Sequence, residues 1–565
     1  MSQMKWWGWG DEQIAFTHED KPELAPFIER AIAVRADDPA TRPVGFDELD
    51  VPEPALGPEL RAALEAAVGP AQVSTDALDR VVHARGKSLR DLVRHRAGDL
   101  GRLPDVVVRP AGEPEVEAIV RAVLDADAVL IPFGGGTNIS GSLEAPADEE
   151  RTVVSVDVTR MDRVVEVDDA SRLARVQAGA YGPALERQLN ARGFTMGHFP
   201  DSFTHSTLGG WIATRSSGMQ SDKYGDVAEL TRAVRVVTPS GTLATRPVPS
   251  TSTGPSVREM VLGSEGRLGV ITEATIHVHR VPERRVILGY LLPDWRRALQ
   301  AMRAIAESDA APSVTRVSDG FETRFSFATR KTPTAVDRLK SKALTTLLER
   351  KSSFGDLEDM CLAFIGYEGA KAHVATQRKL VGKILSAHGG LCIGASPGEL
   401  YDQKKFDTPY IRDYLLDRGA LADVSETSAP WGALPLLYDN VLAAARGAFA
   451  DIGVRGYVMC HLSHSYHAGA CLYFTFAFRP GPVGDGIEQY DRVKGAIQQA
   501  FIDSGATLSH HHAVGTEHAR WLEEDISAPG VDMLRALFDG VDPGANLNPG
   551  KIVGPAARPV VADGD

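Results

Sequence analysis

Cysteine is scarce in this chain: four residues in 565, Cys361, Cys392, Cys460 and Cys471. No pair has CxxC spacing and no secretory signal precedes them, so free thiols in a reducing, cytoplasmic compartment are expected rather than a disulfide framework. No apolar run reaches the roughly 18 residues that a membrane span needs. Positive charge is in deficit, with a formal net charge of -14, which argues against a nucleic-acid partner held by a basic field. An anionic ligand must then be met by a local cluster of Arg and Lys. Two nucleotide signatures are also missing. No GxGxxG follows a strand and no GxxxxGK[ST] occurs, which removes the Rossmann and Walker ways of holding phosphates.

What remains is a large soluble chain, 43% hydrophobic and 24% charged, too long for one core and naturally divided into two or three domains. Residues 1–100 open with KWWGWG, continue in Pro-punctuated acidic segments, and from Val73 follow a helical pattern (VSTDALDRVVHARGKSLRDLVRHRAG), an N-terminal helical region. In residues 101–283, the β-branched run Val106 to Val108, a helix opened by Glu113 and Pro114, and a strand from Val129 to Pro132 make a βαβ unit leading into a glycine triplet. Strands are predicted at TVVSVDV, RVVEVD, LARVQAG, AVRVVTPSG and ITEATIHVHRV, with a helix at PALERQLNARG. Pro282 and Glu283 mark a boundary, beyond which residues 284–500 read as an α+β substrate domain. Residues 501–565 carry NLNPGKI, a motif that returns the chain to the first domain, and end in a loose tail.

Four segments share a composition that lets backbone amides approach a pyrophosphate: PFGGGTNISG from Pro132, PDSFTHSTLGGWIATRSSGMQSDKYG from Pro200, GSEGRLGVITEATI from Gly263, and DPGANLNPGKI from Asp542. A single glycine triplet is often only a tight turn. The set, in this order, resembles the vanillyl-alcohol-oxidase type of FAD-binding fold. That resemblance implies an α+β fold class: a two-subdomain FAD-binding fold with an α+β substrate (cap) domain and the N-terminal helical segment. It assigns flavin contacts to Pro132, Gly134, Gly135, Gly136, Thr137, Asn138, Ser140 and Gly141 in the first segment. In the second they fall on Pro200, Asp201, Ser202, Thr207, Gly209, Gly210, Thr214, Ser216, Ser217, Gly218 and Tyr224, and in the third on Glu265, Gly266, Gly269, Val270 and Ile271. Relatives with covalent FAD carry a histidine after the glycines. Thr137 stands there in this chain, so a non-covalent flavin is expected.

Outside the cradle the chain is similar to the alkyldihydroxyacetonephosphate synthase family, through KWWGWG, GHFPDSFTHSTLGGWIATRSSGM, STGPSVREMVLGSEGRLGVITEATI, YIRDYL, ETSAPW, AGACLYFTFAF and SHHHAVG followed by RWLEEDIS. The resemblance implies exchange of the acyl group of acyl-dihydroxyacetone phosphate for a long-chain fatty alcohol, with the flavin as electron sink and tether and no net redox. It places Tyr473 in the general acid/base position, His511 and His512 beside the flavin, and Arg412 in the phosphate-binding role. His198 and Arg316 match further functional positions, and Thr427 and Ser428 line the same pocket. The chemistry agrees with these residue types. A carbon next to a ketone loses its proton to a base with a pKa near neutrality, and a phenol near imidazoles and a cation is expected to be lowered toward it.

Simpler readings compete. Tyr473 in an alternating apolar run reads as a core strand residue, and Arg412 on a helix reads as a solvent-facing ion-pair partner. His461, His464 and His467 form a histidine-rich departure from the family pattern, but strand alternation does not keep all three on one face, and no metal is expected. A flavin-dependent 2-hydroxy-acid dehydrogenase or oxidase is the nearest alternative, although CHLSHSYHAGA lacks the HxGDGNxH-like core of that branch. A non-catalytic flavin-binding scaffold is the alternative of another class. Finally, Arg324 to Phe354 is a basic island in which Val336, Leu339, Ala343, Leu344, Leu347 and Leu348 recur at helical spacing. That pattern fits peripheral contact with an anionic membrane surface, or equally a helix packed on the substrate domain. The partners expected are thus acyl-dihydroxyacetone phosphate, a fatty alcohol and an anionic bilayer surface, with a homodimer allowed for.

Overall fold

A computed structural model describes residues 4–332, 348, 354–404, 406, 409–482 and 484–554. The first sheet holds β1 (Val73–Ser74), β2 (Val106–Val108), β3 (Val129–Phe133) and β4 (Val153–Asp157) in the order β1-β2-β4-β3. β4 lies parallel between β2 and β3, so the connection through helix Glu113–Asp125 skips one strand. All of β2 and β4 is buried, as expected of parallel strands covered on both faces. The chain returns here at its far end: the Leu130 amide donates to Asn546 O at 2.7 Å and Asn548 N–H donates to Leu130 O at 2.9 Å.

The next strands, β5 (Val164–Asp168), β6 (Leu173–Gln177), β7 (Phe194–Thr195), β8 (Thr231–Thr238), β9 (Gly241–Ala244), β10 (Val270–His277) and β11 (His279–Arg280), build a five-stranded antiparallel sheet β5-β6-β10-β8-β9 and a ribbon β11-β7. The predicted strands fall on β4, β5, β6, β8 and β10 with β11, and the predicted helix on Gly182–Asn190. One segment differs. The helix expected from Val73 begins only at Ala77, because Val73 and Ser74 pair with β2 and Asp76 caps the helix, accepting from Leu78 and Asp79 N–H.

The largest sheet consists of β12 (Arg284–Leu292), β13 (Val314–Ser318), β14 (Cys361–Gly369), β15 (Leu391–Gly394), β16 (Leu421–Pro430), β17 (Gly456–Ser465) and β18 (Gly469–Phe478), ordered β15-β12-β14-β13-β17-β18-β16 and antiparallel throughout. Its two faces follow the period of the strand. On β18, Leu472, Phe474, Phe476 and Phe478 enter a core shared with helices Leu434–Asp451 and Gly486–Asp503, while Tyr473 and Thr475 face a cavity. β17 divides in the same way, with Val458, Cys460 and Leu462 in the core and Met459, His461 and Ser463 on the cavity. Tyr473 is therefore not a core tyrosine.

The KWWGWG segment is packed, not peripheral. Lys5 is buried with Nζ 2.7 Å from Ile14 O, Lys87 Nζ donates to Lys5 O at 2.5 Å, and Trp9 N–H donates to Asp413 Oδ2 at 2.9 Å. Gly8 is required here, since a Cβ would lie 2.6 Å from that same oxygen. Leu348 and Phe354 pack with Leu291, Met360 and Leu362. Positions 333–347 and 349–353, which carry most of the basic island, lie outside the described residues. No helix of the described residues is long and apolar enough to cross a membrane.

Burial also sets a pH dependence. It pulls the imidazoles of His95 and His198 down to about 3 and those of His464 and His518 down to about 4. An unfolded histidine takes up its proton near 6.5. Between about 4 and 6.5 these four rings bind more protons in the unfolded chain than in the folded one, and their contribution to stability rises with pH across that window, offset in part by the carboxyls of Asp222 and Asp319, which burial pushes up to about 7 and which act in the opposite direction. The thermal midpoint, followed by scanning calorimetry, is expected to fall steadily as the pH is taken from about 7.5 to about 5. A midpoint that rises toward about pH 5 would mean that the carboxyls of Asp222 and Asp319 outweigh these rings.

Candidate active site

One cavity of about 1570 Å³ gathers most of the residues singled out in the sequence. Its wall includes Pro132, Gly134, Gly135, Gly136, Thr137 and Asn138 after β3, and Pro200, Asp201, Ser202, Thr207, Gly209, Gly210, Thr214, Ser216 and Ser217 of the second segment. Glu265, Gly266, Gly269, Val270 and Ile271 of the third segment join them, with Asn548 from the fourth. Arg316, Arg412, Tyr473, His511 and His512 complete the set.

Seven expected residues stand outside this wall. His198 is buried behind it, stacked edge-on against Trp211 and 3.3 Å from Ser216 Oγ, which does line the cavity. Thr427 spends its hydroxyl on Thr507 O, and Ser428 O accepts from Thr507 N–H, so this pair tethers β16 to the chain before the histidines. Ser140 bonds Asn138 and Ser142 within its own loop, and Gly141 turns that loop at φ 75°. Gly218 offers its carbonyl to His464 Nε2 at 3.1 Å, and the Tyr224 ring lies 4.6 Å from that of His279.

The glycine wall fits a flavin nucleotide. A Cβ on Gly135 would lie 1.7 Å from His205 O, and one on Gly134 would lie 2.4 Å from Thr207 Oγ1, so the loop after β3 packs against residues 205–207 with no room for side chains, and its backbone lines the cavity. Asn548 Oδ1 is buried in the same wall without a hydrogen-bond partner among the described residues, an acceptor left for a ligand. Glu265, in the left-handed region at φ 50°, accepts from Ser142 Oγ and from the amides of Val514 (2.9 Å) and Gly515 (3.0 Å). It anchors the loop that follows the histidines.

Sequence reasoning missed the residue that organises the opposite wall, Glu426. Its buried carboxylate accepts from Ser509 Oγ (2.7 Å) and from the amides of His510 (2.7 Å), His511 (3.0 Å) and His512 (3.0 Å). Burial alone would raise its pKa, but His511, His512, His510 and Ser509 hold it well below the usual carboxylate range. Glu426 also pairs across the sheet with Tyr473, and this register brings the ring of Tyr473 to 6.0 Å from that of His511 and 5.5 Å from that of His512. The only sequence signal was the first letter of ETSAPW, an acid that shares an otherwise apolar and hydroxyl-rich strand with Asp423.

Charge in the site corrects one expectation. The Tyr473 phenol is pushed well up, not down: burial acts first, and Asp201, Glu426 and Asp423 outweigh the cation of Arg316. The imidazoles of His511 and His512 are lowered, chiefly by burial. At neutral pH the site thus holds a protonated phenol beside neutral imidazoles. Arg316 is engaged, with Nη2 2.7 Å from Glu322 Oε1 and 3.1 Å from His461 Nδ1. Arg412 is not a surface ion-pair partner: it lines the cavity, and its Nε is buried without a hydrogen-bond partner among the described residues. The histidine-rich run does not gather. His461 faces Glu322 and Arg316, whereas His464 lies with Cys471, His510 and His511, whose ligand-type atoms fall within 4.8 Å of one another.

The floor of the cavity is apolar on one side, where Phe325, Phe327, Leu348, Met360, Leu362, Phe364, Ile393 and Leu400 contribute. Comparison with known proteins agrees with this division. Residues 104–245 match the FAD binding domain model, and residues 281–552 match the C-terminal domain of FAD linked oxidases. The alkyldihydroxyacetonephosphate synthase of Dictyostelium discoideum is 38% identical, covering 98% of this chain and 93% of that protein. That of Trypanosoma brucei brucei is 33% identical over 98% of this chain and 92% of its own length. A solved alkyldihydroxyacetonephosphate synthase superposes with a TM-score of 0.83 at 36% identity, covering 97% of this chain and 98% of the other. With near-complete coverage in both directions, the chain belongs to the alkyldihydroxyacetonephosphate synthase family, FAD-dependent enzymes of the vanillyl-alcohol-oxidase fold, and it uses its flavin without a covalent link.

Proposed function

We propose that this chain exchanges the acyl group of acyl-dihydroxyacetone phosphate for a long-chain fatty alcohol, forming an ether with no net oxidation or reduction. The observation that carries this reading is the union of three surfaces in one cavity: a wall of glycine amides, a cation with an unpartnered nitrogen, and an apolar floor. A phosphorylated ketone ester with a long chain needs the second and third of these together.

The glycine amides of residues 134–136, 209 and 210 would hold the FAD, and Asn548 would accept from it. When bound, the flavin supplies an electron-accepting ring to the exchange. Arg412 grips the phosphate, since a guanidinium meets two oxygens at once in a protein of net charge -14. His511, a neutral imidazole, takes the proton from the carbon beside the ketone, and Tyr473, a protonated phenol, gives one to the departing carboxylate. Arg316, fixed by Glu322, keeps positive charge at the site. Phe325, Met360 and Leu362 stand among the residues that receive the alkyl chains. The basic residues between Arg324 and Lys351 would bring the enzyme to an anionic bilayer, where both long-chain substrates reside.

The direct test gives the purified yellow protein acyl-dihydroxyacetone phosphate and a labelled fatty alcohol without oxygen, and D-2-hydroxy acids in a parallel sample. Labelled ether without lasting flavin bleaching is expected; bleaching by the hydroxy acids and no ether would overturn the reading. Tyr473→Phe should keep its FAD and lose about two orders of magnitude or more in kcat, as proton-transfer groups typically contribute. Arg412→Ala should raise KM for the phosphorylated substrate at unchanged flavin content, and ordinary saturation in that variant would remove Arg412 from the phosphate site. Replacing Lys340, Lys342, Arg350 and Lys351 by Gln should weaken cosedimentation with anionic vesicles and leave FAD binding intact. Equal binding by parent and variant would count against the bilayer contact.

A further inference from the structure

Behind the cavity wall a line of hydrogen bonds runs from a buried carboxylate to His511. Tyr466 Oη lies 2.7 Å from Asp226 Oδ2 and 2.5 Å from Nε2 of His510, and Nδ1 of His510 lies 2.9 Å from Nδ1 of His511. His511 lines the cavity, whereas Asp226, Tyr466 and His510 do not. Tyr466 belongs to the turn joining β17 to β18, inside the CHLSHSYH run whose excess of polar residues the proposed function leaves unused. Asp226 follows the second glycine segment, more than two hundred residues earlier in the chain.

The direction of every proton in this line follows from its first member. Burial pushes the Asp226 carboxyl up, but His464 and His510 beside it outweigh that and leave it below the usual range. An ionised carboxylate can only accept. The Tyr466 phenol, driven far up by burial and by Asp226, keeps its single proton and gives it to that carboxylate. Its oxygen can then only accept from His510, which puts a proton on Nε2 of that ring and, in the tautomer with a single ring proton, the lone pair on Nδ1. Nδ1 of His511 faces that lone pair and, at 3.5 Å, Oε2 of Glu426. Between two acceptors it must carry hydrogen, and the lone pair of His511 is left on Nε2. Its neighbour His464, with ring centroids 5.2 Å from His510 and 5.4 Å from His511, is committed elsewhere, to Gly218 O through Nε2 and to Ser463 Oγ through Nδ1. The approach of these imidazoles is thus accounted for by hydrogen bonding.

We propose that Asp226, Tyr466 and His510 are positioning residues that lock His511 in the Nδ1–H tautomer and so present a basic Nε2 to the substrate. This rests on the reading of His511 as the proton acceptor. The relay resembles in logic the way a buried carboxylate orients a catalytic imidazole, with a phenol and a second imidazole inserted between them.

The test uses the full FAD-loaded chain labelled with ¹⁵N-histidine, in which the His511 signals are identified by their loss in His511→Gln. In the parent, Nδ1 should show the shift of a protonated ring nitrogen and Nε2 that of an unprotonated one. Tyr466→Phe removes one hydroxyl, frees His510 to carry its proton on Nδ1, and should reverse or mix the two His511 signals. Its kcat should fall about ten- to a hundredfold, the range for groups that orient a histidine from behind, with KM and flavin content near parental values. Asp226→Asn should act in the same direction, and the double variant should be scarcely worse than either single one, because both act through one line. Parental ¹⁵N shifts in Tyr466→Phe, or strictly multiplicative losses in the double variant, would overturn the relay. If His511→Gln retains full activity, the proton-acceptor reading falls by itself, and the nitrogen shifts still decide whether the relay sets the tautomer.

Discussion

Everything on the reactive side of the cavity depends on one buried carboxylate. An ion taken out of water costs several kcal/mol unless its lone pairs are satisfied. Glu426 meets that demand with three consecutive backbone amides and a serine hydroxyl. The arrangement works in both directions. The amides of residues 510–512 lie in no helix or sheet and would otherwise be orphaned in a half-buried loop. The loop neutralises the carboxylate, and the carboxylate fixes the loop. Because Glu426 sits in a strand directly opposite Tyr473, the same contact sets the spacing between phenol and imidazoles.

That coupling is possible because the seven-stranded sheet is asymmetric. Alternation sends phenylalanines of β18 into a helix-covered core and leaves Tyr473 and Thr475 on the cavity. A slip of one residue in the β16–β18 register would turn every one of these side chains to the other face. The ten residue pairs between β16 and β18 hold the register along its length. In β17 a shift between Leu462 and His464 breaks the alternation, so that His461 and His464 both reach the site. Irregularities of this kind re-aim side chains beside active sites.

The cavity is also a meeting place of distant chain segments. Trp9 from the start, the glycine loops after β3 and before β8, the apolar floor from the middle and Asn548 near the end all contribute. Asp413 illustrates how the outermost pieces are held: it accepts from Trp9 N–H, with Lys5 3.7 Å away, next to Arg412 in the same helix. The opening KWWGWG is thus part of the wall that carries the proposed phosphate grip.

The sequence by itself determined what local chemistry can determine. Glycine spacing marked the backbone that approaches a cofactor, since only glycine tolerates neighbours such as His205 O at the distance Gly135 requires. Alternation and helical periodicity located the strands and helices, and the family resemblance pointed to Tyr473, Arg412 and the SHHH histidines. Only the tertiary structure decided which neighbours those residues have. Glu426, Asp226 and Tyr466 were illegible because their roles arise from pairings across tens or hundreds of residues. Thr427 and His198 were legible as motif letters, yet one turned to a neighbouring loop and the other lies behind the wall. The sign of the Tyr473 shift was decided the same way. A phenol near a cation and imidazoles suggests a lowered pKa, but burial and three nearby carboxylates act on the charged form more strongly than Arg316 does. Burial depends on what the whole chain folds around a group, and no local stretch of sequence records it.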